Sequence, residues 1–236
     1  MTPDRLRAAF VAVRDRDWLV GALIRVSVEP GTIVGYYSVA RRRCGHMDLP
    51  DAPGWTADTA ARVLLLTVLP WCGRRLTDVV RQLYEYGDMS EKYAALRALP
   101  MLDVGPSAVP VLRDALRSHE PRLLAAAMGP YSAHLDDAAW REAVLACALE
   151  GVPLAVVHDL HGRADDRLAS MLAAHAADCR AAGHPVSPDV AALLHRLTGP
   201  GTGSGPGGDG LAACGEKEPG VRPRPPGATG PRVVSG

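Results

Sequence analysis

The chain is poor in aromatic residues, which make up 5% of its 236 residues and include a single phenylalanine, Phe10. With so few aromatic side chains, the core must be built mainly from Ala, Leu and Val. Ala and Leu are strong helix formers, and their side chains allow helices to pack closely. The composition therefore favours a helical protein over a β-sandwich.

An excess of charge and clustered cysteines are also missing. The 26 basic residues balance the 26 acidic ones, so the overall charge gives no support to nucleic-acid binding. Lys92 and Lys217 are the only lysines, and such a preference for arginine is typical of a GC-rich genome. The five cysteines are odd in number and include no CxxC pair, which argues against a disulfide framework or a zinc site and fits a reducing cytosol.

Segments that would direct the chain to a membrane are not apparent. The N-terminus MTPDRLRAAF carries charges where a signal peptide needs its apolar stretch. The longest apolar run, from Ala60 to Cys72, is interrupted by Arg62 and is shorter than the ~20 residues that span a bilayer. We therefore expect a soluble, cytoplasmic protein.

Apolar residues follow a helical period over most of residues 1–198, and no segment alternates like a strand, so this domain is predicted to be all-α. Residues 31–55 are predicted to be the least regular part of the domain because they contain Pro50, Pro53 and several glycines, although Ile33–Val39 could form a short helix or an extended piece. Glycine and proline make up about half of residues 199–236, which predicts a disordered tail. Outside the repeats described next, helices are predicted over 3–26, 56–69, 74–86, 153–160, 164–182 and 187–197. The charged residues 14–17 mark either a polar face of the first helix or a short break in it. The helix over 56–69 is apolar on almost every side, which predicts a buried central helix with Thr56 as its N-cap.

Residues 88–149 contain two similar helix-pair patterns, about 30 residues apart. Aligning Pro100 with Pro130 brings the apolar residues of each second helix close to register. Asp88 and Glu91 have the spacing of a capping box at the start of the first pair. Consecutive helix pairs predict stacked helical hairpins, arranged as a HEAT-like α-solenoid, and such stacks mostly bind other molecules.

The same region carries a family resemblance. The segments GDMSEKYAALRALPML, RLLAAAMGPYSAHLDDAAWREAVL and GVPLAVV, preceded by WTADTAARVLLLTVLP and an RRRCG element, resemble the EboA family over residues 1–198. The resemblance implies a role in moving a secondary metabolite or its precursor towards the cell envelope. It also implies partners from a gene cluster that encodes a prenyltransferase-like membrane protein and a hydrolase-like TIM-barrel protein.

Two groups of residues are candidates for contact with a ligand or partner. Guanidinium groups bind carboxylate or phosphate through paired hydrogen bonds, so an arginine cluster in the predicted loop could clamp an anion, although a solvated charge run also explains it. That cluster is Arg41, Arg42 and Arg43 with His46. Near the repeats, aromatic and basic side chains suit a groove for an apolar ligand or partner helix, whereas core packing is the competing explanation for the aromatic ones. They are Tyr84, Arg97, Arg122, Tyr131, His134 and Trp140.

Motifs with specific chemistry are scarce. His158 and His161 have a spacing at which two imidazoles could share a metal ion, but exposed polar residues at a helix end are the favoured explanation. The sequence contains no nucleophile elbow, catalytic cysteine signature or phosphate-binding glycine loop. No metal and no cofactor are therefore expected.

We interpret the chain as a non-catalytic helical-repeat binding protein that assists the handling or export of a secondary metabolite or its precursor. Its expected partners are a small-molecule metabolite, other proteins of its gene cluster, including the membrane protein, or both, and no nucleic acid. Two alternatives stay open. One is a small all-α enzyme of the same pathway that uses His134 or His158 as an acid or base, and the other is a scaffold for partner proteins.

Overall fold

The computed structural model describes residues 1–10, 13 and 15–199, and every regular element among them is a helix. This confirms the predicted all-α class; an isolated bridge between Asp48 and Thr56 is the single β-type contact in that part. The predicted tail, from residue 200 onward, lies outside the described residues. The helices are α1 (Pro3–Ala9), α2 (Arg16–Val28), α3 (Ile33–Cys44), α4 (Ala57–Thr67), α5 (Gly73–Tyr86), α6 (Met89–Ala98), α7 (Val109–Arg117), α8 (Pro121–Ala127), α9 (Asp137–Leu149), α10 (Leu160–Arg163), α11 (Asp166–Ala181) and α12 (Pro188–Thr198).

The first predicted helix, 3–26, is in fact two helices. α1 ends at Ala9 and α2 begins at Arg16. Phe10 and Leu19 are both buried in the core. Nine residues of α-helix correspond to two and a half turns, so a continuous helix would place these two side chains on opposite faces.

Helix α3 lies in the region predicted to be the least regular. The short helix considered over Ile33–Val39 is present, and the prediction of irregular structure was wrong for residues 40–44, into which the helix continues. Its buried residues are Ile33, Tyr37, Ala40 and Cys44, which follow the spacing of one helical face. Burial of this face against α4 explains why the segment is helical despite Gly35. Residues 45–56, which we call the 45–56 loop, do form an irregular connection to α4.

Helix α4 is the central helix, as its apolar sequence predicted. All residues from Ala57 to Leu66 are buried, and the helix contacts α1, α2, α3 and α6. Thr56 occupies its predicted N-cap position. No helix in the described part of the chain is both long and apolar enough to cross a membrane.

The four helices of the two predicted pairs are present as α6, α7, α8 and α9. Helix α6 contacts both α4 and α8, while α8 also contacts α7 and α9. The predicted capping box begins α6: the Glu91 N–H donates to Asp88 Oδ1 over 2.8 Å, and the Asp88 N–H donates to Glu91 Oε2 over 2.9 Å. Because the Glu91 side chain folds back over residue 87, a Cβ on Gly87 would lie 2.8 Å from Glu91 Cβ.

The predicted helix over 153–160 is not continuous. Residues Leu154–Val156 form a 3-10 turn, and α10 starts only at Leu160. Asp159 between them has a φ of 52°, which is incompatible with a right-handed helix. The two predicted C-terminal helices correspond to α11 and α12.

Candidate ligand-binding site

A cavity of about 520 Å³ lies between the 45–56 loop, α6 and α8. Its volume falls within the roughly 300–1,000 Å³ of ligand pockets. Two aromatic rings, Trp55 and Tyr93, and one charged side chain, Arg97, line it, and the rest of the lining is apolar. The other lining residues are Met1, Pro53, Leu96, Pro100, Met101, Ala125, Ala126, Gly129, Pro130 and Val156.

Local sequence explains how the two helices supply this lining. Tyr93 and Arg97 are four residues apart on α6, so they lie on the same face of the helix. The capping box fixes the start of that helix one turn earlier. On the facing helix, Ala125 and Ala126 leave space because their side chains are small. The cavity therefore forms where a face with large side chains meets a face with small ones.

The aromatic and arginine side chains form a stack, which we call the aromatic–arginine stack. The guanidinium carbon of Arg97 lies 4.0 Å from the ring centroid of Trp55 and 5.6 Å from that of Tyr93. The guanidinium carbon of Arg122 lies 4.3 Å from the Tyr93 centroid. Arg97 Nη1 also donates to the Tyr93 hydroxyl over 2.7 Å. Cation–π contacts of this kind orient a guanidinium group while leaving its in-plane N–H groups accessible.

The 45–56 loop holds Trp55 at the cavity through backbone hydrogen bonds. The Leu49 N–H donates to the Trp55 carbonyl over 2.8 Å, and the Ala57 N–H donates to the Met47 carbonyl over 2.9 Å. The Trp55 side chain is mostly buried. One wall of the cavity is therefore a short, internally bonded loop.

A buried polar cluster connects this loop to the core. Arg62 Nη1 donates to Asp58 Oδ2 over 3.0 Å, and Arg62 Nε donates to the Tyr37 carbonyl over 3.1 Å. Both Asp58 and Arg62 are fully buried. Asp58 Oδ1 lies 2.9 Å from His46 Nδ1 and accepts from the Thr56 hydroxyl over 2.7 Å.

These contacts determine the ionisation of Asp58. Burial alone would raise the pKa of this carboxyl group, but the hydrogen bonds from Thr56 and His46 and the charges of His46 and Arg62 together hold it below its usual value. Asp58 is therefore ionised when its neighbours are in place, and it balances the buried positive charge of Arg62. In α4, the four-residue spacing of Asp58 and Arg62 is the one sequence signal that could have revealed the pair.

The structure does not bring all residues of the predicted anion clamp to one site. Arg41, Arg42 and Arg43 lie on the last turn of α3 instead of in a loop. Arg41 donates to the Ser90 hydroxyl over 3.2 Å, on one side of the helix, and His46 contacts Asp58. Arg42 and Arg43 line a separate cleft of about 600 Å³, which is more open to solvent than the cavity.

The aromatic candidates near the repeats are mainly core residues. Trp140 is fully buried, with the Arg163 guanidinium over its ring. The Tyr131 hydroxyl donates to the Gly105 carbonyl and accepts from the Ala108 N–H, and burial raises the pKa of Tyr131. Because the Tyr131 hydroxyl already makes these two hydrogen bonds, it is not free to bind a ligand.

Tyr84 is also buried, and its burial, together with nearby Asp114, raises its pKa. His134 is exposed, with its ring centroid 4.7 Å from that of Tyr131. Neither side chain lines the cavity. Of the candidates near the repeats, the structure therefore brings together Arg97 and Arg122, through Tyr93, and leaves the others elsewhere.

His158 and His161 are separated by the turn at Asp159. His161 Nδ1 lies 2.7 Å from Arg196 Nη2. Within residues 1–10, 13 and 15–199, no group of three His, Cys, Asp or Glu side chains is arranged to hold a metal ion.

Comparison with known proteins identifies one family. The model of the family described as "Metabolite traffic protein EboA" matches residues 47–195, a narrower range than the 1–198 predicted from the sequence. Neither the curated proteins nor the solved structures gave a match. Except for Met1, the residues lining the cavity fall within the matched range, whereas the cleft beside Arg42 and Arg43 lies before it.

Proposed function

Since the chain belongs to the EboA family of metabolite traffic proteins, we propose that it binds a small-molecule metabolite in the cavity between the 45–56 loop, α6 and α8. In this proposal the protein holds the molecule during its handling or export and does not transform it. The observation that carries the proposal is the cavity itself, which combines apolar walls with the aromatic–arginine stack. Apolar walls with a few well-placed polar groups are typical of small-molecule sites.

The metabolite belongs, in our proposal, to secondary metabolism, and the helices form a HEAT-like stack around it. The contacts of α4 with α6 and of α6 with α8 support such an arrangement, because they form a row of successive inner helices. In a stack of this kind, a cavity between neighbouring inner helices would lie within the repeat region.

Native mass spectrometry of the protein purified from its source organism tests the proposal. Ala126 lines the cavity, so Ala126→Trp should fill it. Ala139→Trp is the matched control, because Ala139 is also half-buried but lines a different cleft, between α7 and α9. We expect a bound small molecule in the natural protein and the Ala139→Trp variant, and its loss from the Ala126→Trp variant.

Three results would contradict the proposal. Retention of the small molecule in Ala126→Trp would place binding elsewhere. Conversion of the bound molecule into a product on incubation would support the enzyme alternative. Purification with a protein partner and no small molecule would support the scaffold alternative.

A further inference from the structure

Arg97 has no carboxylate within ion-pairing distance among the residues that the structure describes. No acidic residue occurs among the described residues that line the cavity. Neither Arg97 nor the neighbouring Arg122 forms an ion pair with a carboxylate from the described part of the chain. A half-buried guanidinium beside apolar walls is less well solvated than one on an open surface, so an anion there would be bound favourably.

The hydrogen bonds of Arg97 leave one particular edge of its guanidinium group available. Nη1 donates to the Tyr93 hydroxyl over 2.7 Å and points to the Gly54 carbonyl at 3.5 Å. Nε and Nη2 donate to no acceptor among the described residues. These two atoms form the side-on edge that binds an oxyanion through two parallel hydrogen bonds.

The same chain shows what this edge does when a carboxylate is present. Arg141 uses Nε and Nη2 to bind Asp165, with distances of 3.0 Å from Nε and 2.7 Å from Nη2 to Oδ2. Arg97 lines the cavity, and the corresponding atoms have no acceptor among the described residues, while the rings of Trp55 and Tyr93 restrict its movement. Arg122, whose guanidinium carbon lies 4.3 Å from the Tyr93 ring centroid, adds a second positive charge nearby.

We propose that the metabolite is an anion: an apolar, preferably aromatic molecule that carries a carboxylate or similar oxyanion. The oxyanion binds the Nε–Nη2 edge of Arg97, with Arg122 adding electrostatic attraction, while the apolar body occupies the cavity beside Trp55. This inference rests on the proposed function, because it assigns a chemical class to the ligand of the same cavity.

Two fluorescent probes of similar shape test the charge requirement. The first, 8-anilino-1-naphthalenesulfonate, carries an oxyanion, and the second, N-phenyl-1-naphthylamine, is its uncharged counterpart. Titration of both probes gives the ratio of their dissociation constants for each variant. In Arg97→Gln we expect the sulfonate to lose about tenfold or more in affinity relative to the uncharged probe, because the charge-assisted hydrogen bonds to the sulfonate are lost.

Arg75→Gln is the matched control. Arg75 lies on α5 with its guanidinium carbon 4.3 Å from the ring centroid of Trp71, so it makes a similar cation–π contact away from the cavity. This variant should leave the ratio unchanged. Arg97→Lys should give an intermediate ratio, since it retains the charge but loses the paired N–H groups.

The outcomes separate this inference from the proposed function. An unchanged probe ratio in Arg97→Gln would overturn the anionic ligand class, while loss of uncharged-probe binding in Ala126→Trp would still support the cavity as the binding site. Undiminished binding of the uncharged probe by Ala126→Trp would contradict the cavity itself. If Arg97→Gln does not fold, the natural protein provides the test. Raising the salt concentration must weaken binding of the sulfonate and leave binding of the uncharged probe unaffected. Equal behaviour of the two probes overturns the inference.

Discussion

Replacement of Asp58 by leucine should strongly destabilise the fold, because it leaves the Arg62 guanidinium buried without its carboxylate. The Arg62 side chain is 1% exposed, and its bond to Asp58 is 3.0 Å long. Its remaining partners are the Tyr37 carbonyl at 3.1 Å and the Glu91 carboxylate at 4.0 Å. Removing one partner of a buried ion pair lowers the free energy of unfolding by about 3–5 kcal/mol. With about 2–4 °C per kcal/mol for a domain of this size, the melting temperature should fall by roughly 6–20 °C.

The reverse substitution, Arg62→Met, should cost less. It removes the cation that needs a partner, and Asp58 keeps its contacts with Thr56 and His46. The double variant Asp58→Leu/Arg62→Met removes both charges, and replacing a buried pair by apolar side chains is often close to neutral. We therefore expect the double variant to be more stable than Asp58→Leu alone.

Urea unfolding followed by circular dichroism gives the free energy of unfolding of the natural protein, both single variants and the double variant. From these four values a double-mutant cycle yields the coupling energy, for which we expect about 2 kcal/mol or more. If the loss in the double variant equals the sum of the two single losses, the buried pair is not coupled and the reasoning fails.

Three further predictions concern other parts of the fold. Gly87→Ala should destabilise the protein by about 1–3 kcal/mol because its Cβ would lie 2.4 Å from the Leu83 carbonyl oxygen. Gly21→Ala, in an open helical position, should instead stabilise the protein by about 0.5–1 kcal/mol. The urea concentrations at the unfolding midpoints of the two variants test both expectations. Burial raises the pKa of Cys147 to about 12, so at pH 8 iodoacetamide should not label this thiol until the protein unfolds, while the exposed Cys72 reacts at once. Mass spectrometry of peptides identifies the labelled cysteine, and early labelling of Cys147 would contradict its burial. The hydrogen bond from Arg141 holds the pKa of Asp165 below its value in the unfolded chain. The stability that results is present above the unfolded pKa and is lost as the pH falls towards the folded pKa. Urea midpoints measured from pH 7 down to pH 3 should therefore decline less in Asp165→Asn than in the natural protein, and parallel declines would rule out this contribution.

Sequence periodicity was sufficient for the parts of the fold that local patterns control. The all-round apolar character of α4 predicted its burial, and the spacing of Asp88 and Glu91 predicted the capping box. The full length of α3 was missed because its glycine and polar residues weaken local helix propensity. Packing of its buried face against α4 outweighs this weakness, and a single sequence does not contain that information.

The candidate site was predicted only in fragments. Arg97 and Arg122 were identified, but Tyr93, which lies between them, was not, and neither was Trp55. Contact between Trp55 and Arg97 brings together a loop and a helix that are distant in sequence, and no periodic pattern links them. Arg62 interrupts an apolar run and was treated only as evidence against a membrane span, although its partner Asp58 lies four residues earlier on the same helix. Its second partner, the Tyr37 carbonyl, comes from a different helix, and no local pattern indicates it.

Asp58 connects the two ends of the 45–56 loop through non-covalent contacts. One carboxylate oxygen contacts His46 at the start of the 45–56 loop and Thr56 at its end, so both ends of the loop are tied to the same residue. Closing a loop in this way reduces the number of conformations open to the chain between the two ends. Trp55 lies within that closed segment. The shape of this cavity wall therefore depends on a carboxylate that does not itself line the cavity.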